Sequence, residues 1–120
     1  RPLHVERSLA MTDWSAPRGA GAVEACRLSA QTQEVGGIRR DLLSGVFWCE
    51  ITRWRGSGRI ELPASGTMTA LICVGGNAEL QGGGAAVALC SGRSAVVPAA
   101  VGGAILQGEA MDVFAIRSPV

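Results

Sequence analysis

Glycine closes nearly every apolar run in this chain. The segments VFWCEITRW (46–54), TMTALICVG (67–75), NAELQG (77–82), AAVALCSG (85–92), SAVVPA (94–99), GAILQG (103–108) and MDVFAIRS (111–118) are short and rich in apolar or β-branched residues, and AVEACRLS (22–29) reads the same way. Short strands at near-regular spacing with turn signals between them predict an all-β sandwich or barrel. No helical pattern of adequate length separates them, which argues against a βαβ fold. Gly75-Gly76-Asn77 and Gly82-Gly83-Gly84 read as hairpin turns requiring positive φ. One stretch differs. In RPLHVERSLAMTD, Pro2 suits a first helical turn and Val5 and Leu9 fall four apart, so a short helix is expected over 3–13.

Alternation sets an expected register. Phe47, Cys49 and Ile51 alternate with Glu50 and Thr52, which places the first three on the core face. The predicted core is Phe47, Cys49, Ile51, Leu71, Cys73, Val87, Leu89, Val97, Ile105 and Phe114. Trp48 and Trp54 share the parity of Glu50 and Thr52 and are therefore expected to point outward, as a contact surface for another lobe, for the 3–13 helix or for a second chain.

Composition excludes several functions. The 120 residues make one domain able to bury roughly two thirds of its unfolded surface. A net charge of +1 is too small for the electrostatic footprint of a nucleic-acid or membrane partner. The 11 basic residues are all arginine, so no lysine Schiff base can form within this stretch. No signal peptide or membrane-length apolar run is present, and a cytoplasmic location is expected. Cys26, Cys49, Cys73 and Cys90 form no C-x-x-C pair and read as reduced core residues, with a four-cysteine zinc site built across strands as the alternative. The chain begins at Arg1, and Met11 lies inside the expected helix, so residue 1 reads as a cut, a processing site or a boundary.

Motifs that carry chemistry mostly dissolve. GGNAELQGGG has no G-K-[ST] after it and opens no helix, so it is not a phosphate cradle. RWRGSGR (53–59) interleaves arginine with tryptophan but reads as a solvated strand end rather than a single-strand nucleic-acid platform. Glu50 and Glu61 could in principle pair as acid and base for glycoside hydrolysis, but with ten acidic residues in the chain nothing marks these two. His4 is the sole histidine, with Glu6 two residues on, and one such pair cannot assemble a catalytic metal site. SGRSAVVPAA (91–100) has a glycine, five residues and a proline, Gly92 to Pro98, a spacing that in small β-barrels leads on to a metal-binding histidine. Here VGGAILQG follows and no histidine comes.

RPLHVERSLAMTDWSAP resembles the segment that, in bacterial type I mannose-6-phosphate isomerases, leaves the catalytic lobe and begins the C-terminal lobe. The stretch from Gly45 to Pro119 resembles the small cupin barrel that follows. The framework points are the Phe47 strand, Leu71 to Gly76, Gly92, Val96-Val97-Pro98-Ala99 and a final strand ending at Pro119. The resemblance implies an all-β cupin, a double-stranded β-helix or jelly-roll barrel with a short N-terminal helix. It divides the chain into a lead-in helix and linker over 1–20 and a metal-free barrel over 21–120. It further implies a parent enzyme that interconverts mannose 6-phosphate and fructose 6-phosphate with zinc. That family's metal ligands, two histidines with a glutamate and a glutamine, lie in the N-terminal cupin, and its catalytic arginine precedes the segment where this chain begins. None can be carried onto a position here, and ASGTMTALICVG (64–75) lacks the H-x-H pair and glutamate of a metal-binding cupin. The expectation is therefore no catalytic, cofactor-binding or metal residue in this chain, with the N-terminal lobe as partner and a sugar phosphate as the parent's substrate. Two alternatives remain: a stand-alone metal-free cupin binding a sugar or other small molecule in the barrel mouth, or a structural or dimerisation module.

Overall fold

The computed structural model describes residues 4–16, 18–25, 31–46 and 48–118. Among these residues two short helices, α1 (Val5–Ala10) and α2 (Ala20–Ala25), precede seven strands. These are β1 (Gln31–Val35), β2 (Ile38–Val46), β3 (Cys49–Pro63), β4 (Thr69–Gly82), β5 (Ala85–Cys90), β6 (Ser94–Val97) and β7 (Gly103–Arg117). All pairings are antiparallel, in the order β1-β2-β3-β7-β4-β5, with β6 pairing the first part of β4 on the same edge as β5. The expected all-β jelly roll is what forms. No helix among the described residues is long and apolar enough to cross a membrane.

The strands are fewer and longer than the glycine punctuation suggests. TMTALICVG and NAELQG are one strand, β4, and GAILQG and MDVFAIRS are one strand, β7. The Gly75-Gly76-Asn77 turn is thus a bend inside a strand, and RWRGSGR is the middle of β3 and not a strand end. The cause is bulging. Pairing with β7 slips between Gly56 and Gly58 on β3, and between Cys73 and Gly75 and again between Gly75 and Asn77 on β4. Bulges bend a strand and sharpen its twist, so each long strand can serve both layers of the barrel. The bends meet at one place. A Cβ on Gly76, whose φ is +68°, would collide with the Ala110 carbonyl. Ala110 itself has φ 46°, and its N–H donates to Ser57 Oγ at 2.9 Å. Gly82-Gly83-Gly84 does form a hairpin, with positive φ at Gly83 and Gly84.

A hairpin over QTQEVGGIRRDLLSG was not foreseen. Gly36 and Gly37 turn β1 into β2 with φ of 59° and 82°, the conformation of a type I′ turn. Every β1 residue is exposed, so no apolar period marks it. The strand expected at 22–29 is instead helix α2 over Ala20–Ala25, with 26–30 outside the described residues. The helix expected over 3–13 spans Val5–Ala10, buries no residue, and leaves Val5 and Leu9 about half exposed.

The core consists of Ile38, Trp54, Leu71, Cys73, Ala78, Leu80, Leu89, Ala104, Leu106, Met111, Val113 and Ala115. Leu71, Cys73 and Leu89 are as predicted, and Val97 packs against the core from a partly buried position. The register on β3 is the reverse of that expected. Thr52 and Trp54 are buried, whereas Cys49 and Ile51 lie on the opposite face and are only half-buried. On β7, Leu106 and Val113 face inward in place of Ile105 and Phe114. Val87 sits opposite the buried Leu80 but on the edge strand β5, and is exposed. Phe47 lies outside the described residues. Of the two tryptophans expected to point outward, Trp48 is exposed and Trp54 is in the core.

Candidate functional site

The face of β3 that carries Thr52 and Trp54 also carries Glu50, and it opens into a cavity of about 650 Å³ at the barrel mouth. Antiparallel registry assembles the rest of the wall. Glu50 pairs with Arg117 of β7, Thr52 with Ala115, and Trp54 with Arg40 of β2. Directly opposed residues share a face, so Arg40, Ala115 and Arg117 enter the same space. Thr69 of β4 lies opposite Arg117 and adds a hydroxyl. Ile60 and Leu62, from the second half of β3, supply apolar wall, and Arg59 and Glu61 line it too.

Its polar centre is an ion pair. Arg117 Nε donates to Glu50 Oε1 at 2.9 Å and Arg117 Nη2 to Oε2 at 3.2 Å, a bidentate fork. Thr52 Oγ1 adds a longer bond to Oε1 at 3.4 Å. Arg40 Nη2 stands 3.9 Å from the same carboxylate, beyond hydrogen-bond reach, while its Nη1 reaches Gln33 Oε1 at 3.4 Å. Arg59 pairs with Glu61 at 3.1 Å. Glu50 and Glu61 do line one cavity, which spacing alone did not indicate. Retaining or inverting hydrolysis needs one carboxyl held as a proton donor, yet each of these faces a guanidinium, so the pair is not arranged for that chemistry.

The outer face of the same strands holds a second charged set. Asp41 is buried and accepts from Thr32 Oγ1 at 2.7 Å, Arg39 Nε at 2.9 Å and Arg55 Nη2 at 2.6 Å. Those bonds, the one from Thr32 foremost, hold its carboxyl well below the usual carboxylate range. Arg53 grips Asp112 through two bonds of 2.8 and 2.6 Å and lies over the Phe114 ring at 5.1 Å. The hydrogen bond from Arg53 lowers the Asp112 carboxyl in turn. So the arginines of RWRGSGR divide: Arg53 and Arg55 serve ion pairs on the outer face, Trp54 is buried and Arg59 is at the cavity. They form no continuous binding stripe.

The remaining sequence candidates lie elsewhere. His4 is exposed at the start of α1, where its carbonyl accepts from the Ser8 N–H and hydroxyl, and Glu6 is exposed on the same helix. Cys49, Cys73 and Cys90 are free thiols, but only Cys73 is fully buried, and burial pushes its thiol up. Cys26 lies outside the described residues. Among the described residues no three His, Cys, Asp or Glu side chains converge as metal ligands. The barrel mouth does not suit a cation in any case, because Glu50 is already engaged and Arg40 and Arg117 stand beside it. Arg40, Thr52, Trp54 and Arg117 were missed as cavity residues. Nothing in their local sequence marks them, since only the pairing of β2, β3 and β7 brings them together.

No protein-family model and no curated protein matches the sequence. Solved structures do match in shape. An RmlC-like cupin from Shewanella frigidimarina has 18% identity and a TM-score of 0.65, over 77% of this chain and 86% of that one. KdgF from Halomonas sp. has 19% identity and a TM-score of 0.64, over 75% of this chain and 88% of that one. The mannose 6-phosphate isomerase from Bacillus subtilis has 15% identity and a TM-score of 0.72, over 97% of this chain. The chain corresponds to only 34% of that isomerase. With the antiparallel strands and paired layers described above, these likenesses make the architecture a cupin barrel.

Proposed function

We propose that this chain is the non-catalytic C-terminal cupin lobe of a mannose-6-phosphate isomerase, whose zinc and catalytic residues belong to an N-terminal lobe. One observation carries the reading: the likeness to the Bacillus subtilis isomerase extends over 97% of this chain, the helical lead-in included, although it takes up about a third of that enzyme. Val5 and Leu9 on α1, each about half exposed, are available for such a lobe to cover. Moving a proton between adjacent sugar carbons needs a positioned acid/base group or an electrophile on the carbonyl. The carboxylates at this barrel mouth are instead committed to arginines. The lobe's role is then structural, and its place is that of its parent, in the cytoplasm. Elemental analysis and an isomerase assay test it. The 120-residue protein should hold no stoichiometric zinc and turn over no mannose 6-phosphate, and the same barrel joined to its upstream lobe should be active. Zinc and turnover in the 120-residue protein by itself would overturn the reading.

A second reading is favoured by the cavity itself: a metal-free cupin that binds a sugar or other small molecule at the barrel mouth. About 650 Å³ lies within the range of small-molecule pockets. A reading frame that starts just before Arg1 supports this reading, and one that continues upstream into H-x-H-type ligands supports the first.

A further inference from the structure

We infer that the barrel mouth binds a small organic anion, its charged head taken by Arg40 and Arg117 and its body laid against Trp54, Ile60 and Leu62. The inference rests on the second reading above, that the cavity holds a ligand, and it names the ligand's chemical class.

Charge is the first argument. The inward side chains of the wall carry Arg40 and Arg117 against Glu50, two positive groups and one negative, while Arg59 and Glu61 at its rim are exposed and offset each other, which leaves one positive charge in excess. The excess is local to Arg40. Arg117 and Arg59 each have a carboxylate within hydrogen-bond distance, whereas Arg40 stands 3.9 Å from Glu50.

Donor count is the second. A guanidinium offers five N–H donors and accepts nothing. Arg117 spends its Nε and one Nη2 donor on Glu50, so Nη1 remains for another acceptor. Glu50 already receives Arg117 at both oxygens and Thr52 at one. The mouth therefore has donors to spare and few acceptor sites. A neutral sugar presents hydroxyls that must donate as well as accept. A carboxylate or phosphate only accepts, and it matches the planar fork of arginine.

The apolar wall is the third. Trp54 and the half-buried Ile60 and Leu62 border the same cavity, and a bare inorganic ion would leave that surface wet. A ligand with a carbon body covers it.

Titration calorimetry on the purified protein tests all three arguments, with mannose 6-phosphate, glucuronate, mannose and inorganic phosphate as probes. The phosphate and carboxylate arms separate the two possible anionic heads. At least one anionic sugar should bind about tenfold more tightly than mannose, and the preference should fade as salt rises to about 0.5 M. Arg40→Gln should remove that preference and leave the melting temperature unchanged, since Arg40 is partly exposed and makes no close ion pair. Equal binding of mannose and the anionic sugars overturns the ligand class and leaves the cavity reading intact. Binding of inorganic phosphate as tight as that of either sugar anion overturns the role of the apolar wall. Undiminished preference in folded Arg40→Gln overturns the assignment of the head. If no probe binds the folded protein, both the class and the reading beneath it fall.

Discussion

Trp54 tests the inward register of β3. The residue is 7% exposed and stands opposite Val113, which is fully buried. A buried tryptophan removes about 200 Å² from water, and at about 25 cal/mol per Å² that is roughly 5 kcal/mol. Alanine retains part of this, and the new void adjoins a cavity that water can fill, so Trp54→Ala should cost about 3–5 kcal/mol. Ile51 lies on the other face and is half-buried, so Ile51→Ala should cost distinctly less, about 1–2 kcal/mol. Urea unfolding of the two variants, read by circular dichroism, gives both values with a common m-value. Fluorescence supplies an independent reading, because Trp14 and Trp48 are both more than half exposed. Trp54→Ala should therefore delete the blue-shifted part of the emission. If Ile51→Ala destabilises as much as Trp54→Ala, the inward face of β3 has been assigned backwards.

Gly76→Ala should destabilise by about 2–4 kcal/mol, since it forces a left-handed alanine against the Ala110 carbonyl, and chemical denaturation reads the loss directly. Asp41 has a depressed folded-state value, so the stability it contributes is present above its unfolded value of about 3.9 and is lost as pH falls toward the folded one. The melting temperature of the wild type should fall below about pH 4, and Asp41→Asn should be less stable at neutral pH with a flatter acid slope; identical slopes refute the assignment. A chelator should leave the melting temperature unchanged, because both carboxylates at the barrel mouth are already engaged by arginines without a cation, and a downward shift of several degrees would reveal a structural metal.

The sequence by itself determined the fold class and part of the core. Short apolar segments closed by glycine leave a barrel or sandwich as the way to bury them, and Leu71, Cys73 and Leu89 sit inside apolar runs and face inward in the folded chain. It also indicated the Gly82-Gly83-Gly84 hairpin, because successive glycines tolerate the positive φ that the turn demands. It could not reveal β1, whose residues are exposed throughout and carry no apolar period.

The tertiary structure alone decided which parity faces inward along the long strands. The inward set on β4 is odd at Leu71 and Cys73 and even at Ala78 and Leu80; on β7 it is even at Ala104 and Leu106 and odd at Met111, Val113 and Ala115. One extra residue in each strand, at the slip beside Val74 and at the slip beside Ala110, reverses the alternation. On β3 the partner strand takes up the bulge, so Thr52, Trp54, Ile60 and Leu62 keep one parity. A side-chain period of two turns any such insertion into a change of face for everything beyond it. An insertion is defined only against a paired strand, so the local sequence does not record it. The cavity depends on the same pairing: Arg40, Glu50 and Arg117 meet because β2, β3 and β7 are in register at the barrel mouth, although Arg117 lies 67 residues beyond Glu50 along the chain.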